Sequence, residues 1–288
     1  MTFPAIHTRP AGLVAALFFS ATVALAAPTL PEGVRRIADL AYGQDARQRM
    51  DVYLPAQALN APVIVMVHGG AWMVGNKAMS NVVDNKAAYW VKQKGYILVS
   101  VGYRLSPQAD PLLQARDVAT ALAKAQGLAP SWGGDPGKFI LMGHSAGAHL
   151  SALLAASPAL AREAGAKPWL GTIALDSAAL DLERIMQARH MRFYDRVFGA
   201  DPAYWRSVSP SSVLAPDATP MLLVCSTQRA DGSCAQSRDF AAKVTAKGVR
   251  ASVLPQDLTH EQVNATLGLP GAYTEAVDGF MASLLTRP

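Results

Sequence analysis

The sequence predicts an α/β fold with a mostly parallel central sheet and helices on both faces, and three observations carry that prediction. Uninterrupted apolar runs such as Val63-Ile64-Val65-Met66-Val67 suit strands buried on both faces. Such runs alternate with longer stretches of helical character in a βαβ rhythm. The segment Gly143-His144-Ser145-Ala146-Gly147 joins an apolar strand directly to a helix. With 288 residues, 51% of them hydrophobic and 16% charged, the chain has material for one large domain of this class.

The elements follow in order. Residues 34–40 and 49–54 read as short strands around a polar turn at Gly43 to Asp45, forming an edge hairpin. Pro62 then introduces the strand 63–67, the natural centre of the sheet. A helix at about 81–93 leads to a strand at 97–101, and a helix at 109–126 leads to a strand at 139–142. After the helix that follows Ser145, strands are expected at 171–175, 221–225 and 251–254, with helices at about 236–246 and 273–285. Between 175 and 221 lies an insertion of about 45 residues, longer than an ordinary connection. It is a candidate lid at about 181–208, in which Met186, Met191, Phe193, Tyr194, Val197 and Phe198 either cover a pocket or form the apolar face of an ordinary helix.

The first residues stand apart from this pattern. Arg9 precedes an apolar stretch at 11–26, followed by Ala27, Pro28 and Pro31, and small residues at Ala24, Ala26 and Ala27 suit a signal peptidase. The reading is a signal peptide over 1–26 with cleavage near 26/27, leaving 27–288 as a single domain; the alternative is a retained membrane anchor. The protein is therefore expected to be exported, periplasmic or secreted, with no stable membrane span after signal removal. Of the net charge of +5, only Arg9 lies in that segment, and the remaining basic residues are scattered, so no nucleic-acid partner is inferred.

The chemistry is carried by two glycine-flanked turns. In the first, a serine on a tight turn between strand and helix projects its hydroxyl from the sheet edge, which makes Ser145 the candidate nucleophile. In the second, His68-Gly69-Gly70-Ala71-Trp72 follows the strand 63–67. Backbone N–H groups at Gly69 and Gly70, with that of Ala146, form a candidate oxyanion hole, and Trp72 is a candidate substrate-binding wall.

These motifs together resemble the esterase and lipase branch of the α/β-hydrolases, near the hormone-sensitive-lipase-like and kynurenine-formamidase-like carboxylesterases. The likeness extends to Val101-Gly102-Tyr103-Arg104-Leu105-Ser106-Pro107, to Gly133-Gly134-Asp135-Pro136, and to Phe198-Gly199-Ala200-Asp201-Pro202 before Ser209-Pro210. By this analogy Tyr103, Arg104 and Asp135 hold loops. The resemblance implies the α/β-hydrolase fold and hydrolysis of a small-molecule carboxylic ester through an acyl-enzyme. An arylformamidase, amidase or peptidase shares the same triad, and a hydrolase-fold binding protein that has lost catalysis is the reading from another class. The N-terminal strands leave little room for a helical cap, which favours short-chain or aryl esters.

Of six histidines, His7 lies in the signal segment, His68 and His144 belong to the two motifs, His149 follows the nucleophile by one helical turn and His190 lies in the insertion. His260 remains as general base, at the place where the related enzymes carry their catalytic histidine. Chain order Ser, Asp, His makes Asp231 the leading acid, with Asp176 the second choice and Asp257 the third. Cys225-Ser226-Thr227-Gln228-Arg229-Ala230 replaces the glycine-containing stretch that usually precedes this acid in the related enzymes. Cys225 and Cys234 are candidates for a disulfide bracing this loop; the alternative is a buried thiol at Cys225 beside an unrelated Cys234. No metal or cofactor is expected, because no His-Glu-x-x-His run, phosphate loop or dinucleotide fingerprint occurs.

Overall fold

In the computed structural model, which describes residues 30–177 and 179–286, the apolar runs pair into an eight-stranded sheet. The expected signal peptide lies outside the described residues. The strands are β1 (Arg35–Ala41), β2 (Arg49–Leu54), β3 (Ala61–Val67), β4 (Ile97–Val101), β5 (Gly134–His144), β6 (Gly171–Leu175), β7 (Met221–Ser226) and β8 (Ala251–Gln256). They lie side by side in the order β1-β2-β4-β3-β5-β6-β7-β8. Pairs β1–β2 and β2–β4 are antiparallel, and from β4 onward every pair is parallel. The edge hairpin and the mostly parallel sheet are thus as the sequence predicts.

The helices are α1 (Ser80–Lys86), continuing as a π-helical segment to Gln93, α2 (Pro111–Leu128), α3 (Ala146–Ala156), α4 (Pro158–Glu163), α5 (Leu182–Gln187), α6 (Phe193–Phe198), α7 (Pro202–Ser207), α8 (Ser233–Ala246), α9 (His260–Ala265) and α10 (Ala272–Leu285). Helix α2 shows why the sequence turns helical there: Asp110 caps it by accepting the Leu113 N–H at 2.9 Å, and Pro111 fills the first position, where no donor is missed. The two-residue period of the strands sorts the core into two layers. Val63, Val65, Val67 and Leu141 pack with Leu122, Leu150 and Leu153, whereas Ile64, Met66, Ile140 and Met142 pack with Trp90, Val277 and Met281.

Strand β5 begins at Gly134 rather than at Phe139. Its first residues are glycine, proline or charged and carry no apolar run, but Gly134 pairs with Ala61 of β3 and so lengthens the strand. The insertion after β6 forms the short helices α5, α6 and α7. Met186, Tyr194, Val197 and Phe198 are buried in the first core layer, while Met191 stays 53% exposed. Among the described residues, no helix is long and apolar enough to cross a membrane.

Two glycines predict opposite outcomes. A β-carbon on Gly147 would come 2.2 Å from the Val67 carbonyl oxygen, so Gly147→Val should abolish soluble expression. Gly127, exposed in α2 with nothing within 4 Å of an added β-carbon, should stabilise the fold by about 0.5–1 kcal/mol on Gly127→Ala, read by urea unfolding.

Candidate active site

Ser145 sits between β5 and α3 in a backbone conformation rare for an L-residue, φ 56° and ψ −116°. Its N–H is tied to the Leu175 carbonyl at 2.9 Å, and Gly143 passes so near Gly147 that a β-carbon would meet the Gly147 oxygen at 2.2 Å. The turn is held from both sides, and the hydroxyl emerges above the sheet. There Ser145 Oγ lies 2.9 Å from His260 Nε2.

His260 is the first residue of α9, whose N-terminus is closed by a capping box between Thr259 and Gln262. A helix this short leaves carbonyls without intrahelical partners. Four side chains from three other elements supply them: His144 Nε2 reaches the His260 carbonyl at 2.9 Å, Tyr273 Oη the Val263 carbonyl at 2.7 Å, Lys86 Nζ that of Asn264 at 2.7 Å and Asn85 Nδ2 that of Ala265 at 2.6 Å. The imidazole is thereby fixed in place, with the His144 ring 4.6 Å away.

The carboxylate facing His260 belongs to Asp176, at the end of β6, whose Oδ2 lies 2.6 Å from Nδ1. The expectation that Asp231 takes this place is corrected. Asp231 does lie after β7, but Arg229, two residues earlier, grips both of its carboxylate oxygens through Nε and Nη2. Asp176 also has left-handed φ, 57°, and its Oδ1 accepts the Ser226 N–H at 2.8 Å. Burial pulls its carboxyl upward, but the His260 hydrogen bond, the Arg229 cation and the Ser226 N–H outweigh this and hold it at about 2. Asp257 accepts from Gln228 Nε2 at 3.0 Å. Arg229 carries no motif of its own in the sequence; the departure at 225–230 from the related enzymes is the signal that marks its position. Cys225 and Cys234 form a disulfide across this loop.

A cavity of about 900 Å³ opens over Ser145, and Gly69, Gly70 and Ala146 line it beside the nucleophile. A β-carbon on Gly69 would come 3.0 Å from Ser145 Cβ, so only glycine lets this backbone approach the hydroxyl. Gly70, Ala71 and Trp72 all have positive φ, which turns the chain sharply after β3. Trp72, 3% exposed, also lines the cavity. Its indole N–H donates to His149 Nδ1 at 3.1 Å and its ring packs edge-on against Phe198 at 4.9 Å. Phe193, Tyr194 and Met191 of the insertion supply the facing wall.

The chain matches the BD-FAE family over residues 50–244, more than half of its length. It belongs to the BD-FAE family. Among curated relatives of this BD-FAE member, Esterase LipQ of Mycobacterium tuberculosis is 30% identical over 247 residues, 77% of this chain and 56% of LipQ. A probable isoprenylcysteine alpha-carbonyl methylesterase of Arabidopsis thaliana, ICMEL1, is 33% identical over 120 residues, 41% of this chain and 24% of that protein. The chain thus aligns with about a quarter of the length of the plant methylesterases it matches. Kynurenine formamidase of Danio rerio is 32% identical over 117 residues, 40% of this chain and 37% of its own. Esterase B of Lactobacillus rhamnosis superposes with a TM-score of 0.70 at 22% identity, over 89% of this chain and 87% of that one. Together with Thermogutta terrifontis esterase 2, at TM-score 0.69, 22% identity and 89% and 96% coverage, it establishes the α/β-hydrolase fold.

Burial keeps three further histidines of this BD-FAE member neutral. His68, His144 and His149 are pushed down to about 4, 3 and 4, in each case chiefly by desolvation, and for His144 also by His260. Their ordinary value is near 6.5, so between about pH 6.5 and 4 the unfolded chain takes up protons that the folded one refuses. The stability contributed by these three should therefore be full above pH 6.5 and fall as the pH drops toward 4. Partly buried His190, raised by its hydrogen bond to Asp195, opposes this weakly. Urea midpoints measured from pH 7.5 to 4 should fall monotonically, with an uptake approaching about three protons on unfolding.

Proposed function

We propose that the protein hydrolyses carboxylic esters through an acyl-enzyme on Ser145, with His260 as general base and Asp176 as the acid that orients it. The observation that carries this reading is the unbroken line from Ser145 Oγ to His260 Nε2, 2.9 Å, and from His260 Nδ1 to Asp176 Oδ2, 2.6 Å. In the first half-reaction His260 takes the Ser145 proton as the oxygen attacks the ester carbonyl, then gives it to the departing alcohol. Water then repeats the sequence against the acyl-enzyme. Asp176, held ionised, stabilises the imidazolium formed in each step, and the N–H groups of Gly69, Gly70 and Ala146 receive the negative oxygen of the tetrahedral intermediate.

The apolar cavity walls formed by Trp72, Met191, Phe193 and Tyr194 support short-chain or aryl esters as substrates. The partial match to a kynurenine formamidase supports arylformamide hydrolysis by the same residues as a second reading. The disulfide suits an oxidising compartment, in keeping with an exported protein whose signal precedes one catalytic domain from residue 27 onward, with a lid at about 181–208.

The test is turnover of p-nitrophenyl esters from acetate to palmitate, beside an N-formylaniline. Ser145→Ala should lose on the order of a millionfold of kcat. Asp176→Asn should lose on the order of ten-thousandfold, and Asp231→Asn far less. Full activity of Ser145→Ala would end the serine-hydrolase reading, and a preference for palmitate would end the short-chain one.

A further inference from the structure

We propose that Arg229 is a positioning residue of the site: clamped by Asp231, it holds the Asp176 carboxylate and sets the charge seen by His260. This rests on the triad reading above. A guanidinium has five N–H donors in a fixed fork. Here Nε donates to Asp231 Oδ1 at 2.9 Å and Nη2 to Asp231 Oδ2. Nη1 donates to the Asp176 carbonyl at 2.9 Å and to Asp176 Oδ2 at 3.1 Å. Both Nη1 hydrogens are thus engaged, yet Nη1 also lies 2.9 Å from His260 Nδ1. Since the Nδ1–H goes to Asp176, this last approach places a cation beside the imidazole without a hydrogen bond between them.

The physical consequence has a definite sign. A positive charge next to Nδ1 opposes protonation of His260, and by pairing with Asp176 it also weakens the pull of that carboxylate on a proton. Both effects act on the imidazole in the same direction. Asp231 partly cancels Arg229, so it acts in the opposite direction. The loop carrying the pair cannot drift: the Cys225–Cys234 disulfide spans it, and Ser226 Oγ donates to the Leu258 carbonyl at 2.6 Å. The side chain is only 17% exposed, and four of its five donors are given to protein partners.

Other charged groups face the imidazole from the surrounding elements. His144, at the end of β5, is held neutral by burial. Lys86 of α1 bears on His144 and is itself lowered to about 7 by burial. Glu261 of α9 is exposed at the cavity rim, and Tyr273 of α10 and Tyr194 of α6 stay neutral, their hydroxyls raised by burial. Of these, Tyr194 also senses Asp231 and Arg229, but burial is the main cause that keeps its hydroxyl neutral, so the variants act chiefly through the pair itself.

The experiment is the pH dependence of kcat/KM for p-nitrophenyl acetate in wild type, Arg229→Gln, Arg229→Lys and Asp231→Asn, with Ser145→Ala as the blank and a thermal melt of each. Arg229→Gln should move the acid limb to higher pH by about half a unit to one unit, a size limited by water at this partly exposed site. Asp231→Asn should move it to lower pH, and Arg229→Lys should leave it in place while kcat falls several-fold through loss of the fork. Opposite displacement of the two neutralising variants is what a merely bracing role does not produce. Limbs that coincide with wild type, or that move together, would overturn the proposal; if Arg229→Gln does not fold, the direction taken by Asp231→Asn decides. Activity surviving in Ser145→Ala would instead sink the triad reading, whereas an inert Ser145→Ala with unmoved limbs removes only the role given to Arg229.

Discussion

Gly147 lies so close to the end of β3 that its neighbours are the carbonyl oxygens of Val67 and His68. That contact between α3 and β3 has no room for a side chain, and the geometry above the sheet depends on it. It draws Ser145 tightly over the strand ends and leaves its φ positive. It also brings the Gly69 backbone against Ser145 Cβ, so that the proposed nucleophile and the proposed oxyanion donors arrive together. The strain of the turn persists because the strands on either side, β3 and β6, over-determine it: Ser145 N–H is bonded to Leu175 and Gly143 is in register with Val67.

His260 comes from a distant part of the chain and is placed by a different means. Helix α9 is too short to satisfy its own carbonyls, and their partners arrive from β5, α1 and α10. Buried Lys86 is one of them, a residue whose charge is costly in that setting unless its donors are used. The helix is therefore docked through polar contacts on several sides, which confines the imidazole more than apolar packing alone does. Precise placement matters for the proposed role of Ser145, because proton transfer from a serine requires hydrogen-bond distance along a single direction.

Charge alternates outward from that imidazole, from Asp176 to Arg229 to Asp231. A buried carboxylate without partners would take up a proton; Asp176 stays ionised because an imidazole, a guanidinium and a backbone N–H all meet it. Burying Arg229 is tolerable for the same reason, since two carboxylates and a carbonyl receive its donors. The loop after β7 thus contributes a cation to the site, while the loop after β6 contributes the carboxylate that meets the imidazole.

The fold and half of the site were legible in contiguous sequence. Strands β2, β4 and β6 have the bounds read from the sequence, because β4 and β6 are mostly apolar runs of the kind a strand buried on both faces needs and β2 is marked off by the polar turn before it. The turns around Ser145 and Gly69 were legible because a backbone that must pass without a β-carbon demands glycine at set positions. The start of β5 was not, since Gly134 joins the sheet by pairing with a neighbour rather than by hydrophobicity. Nor could spacing choose between Asp176 and Asp231: both follow strands, and both preserve the order Ser, Asp, His. That choice, and the pairing of Cys225 with Cys234, rest on which side chains meet across loops far apart in the chain. Local periodicity and backbone sterics are properties of adjacent residues and so are written in the sequence, whereas the partner of a carboxylate is set by the packing of the whole sheet.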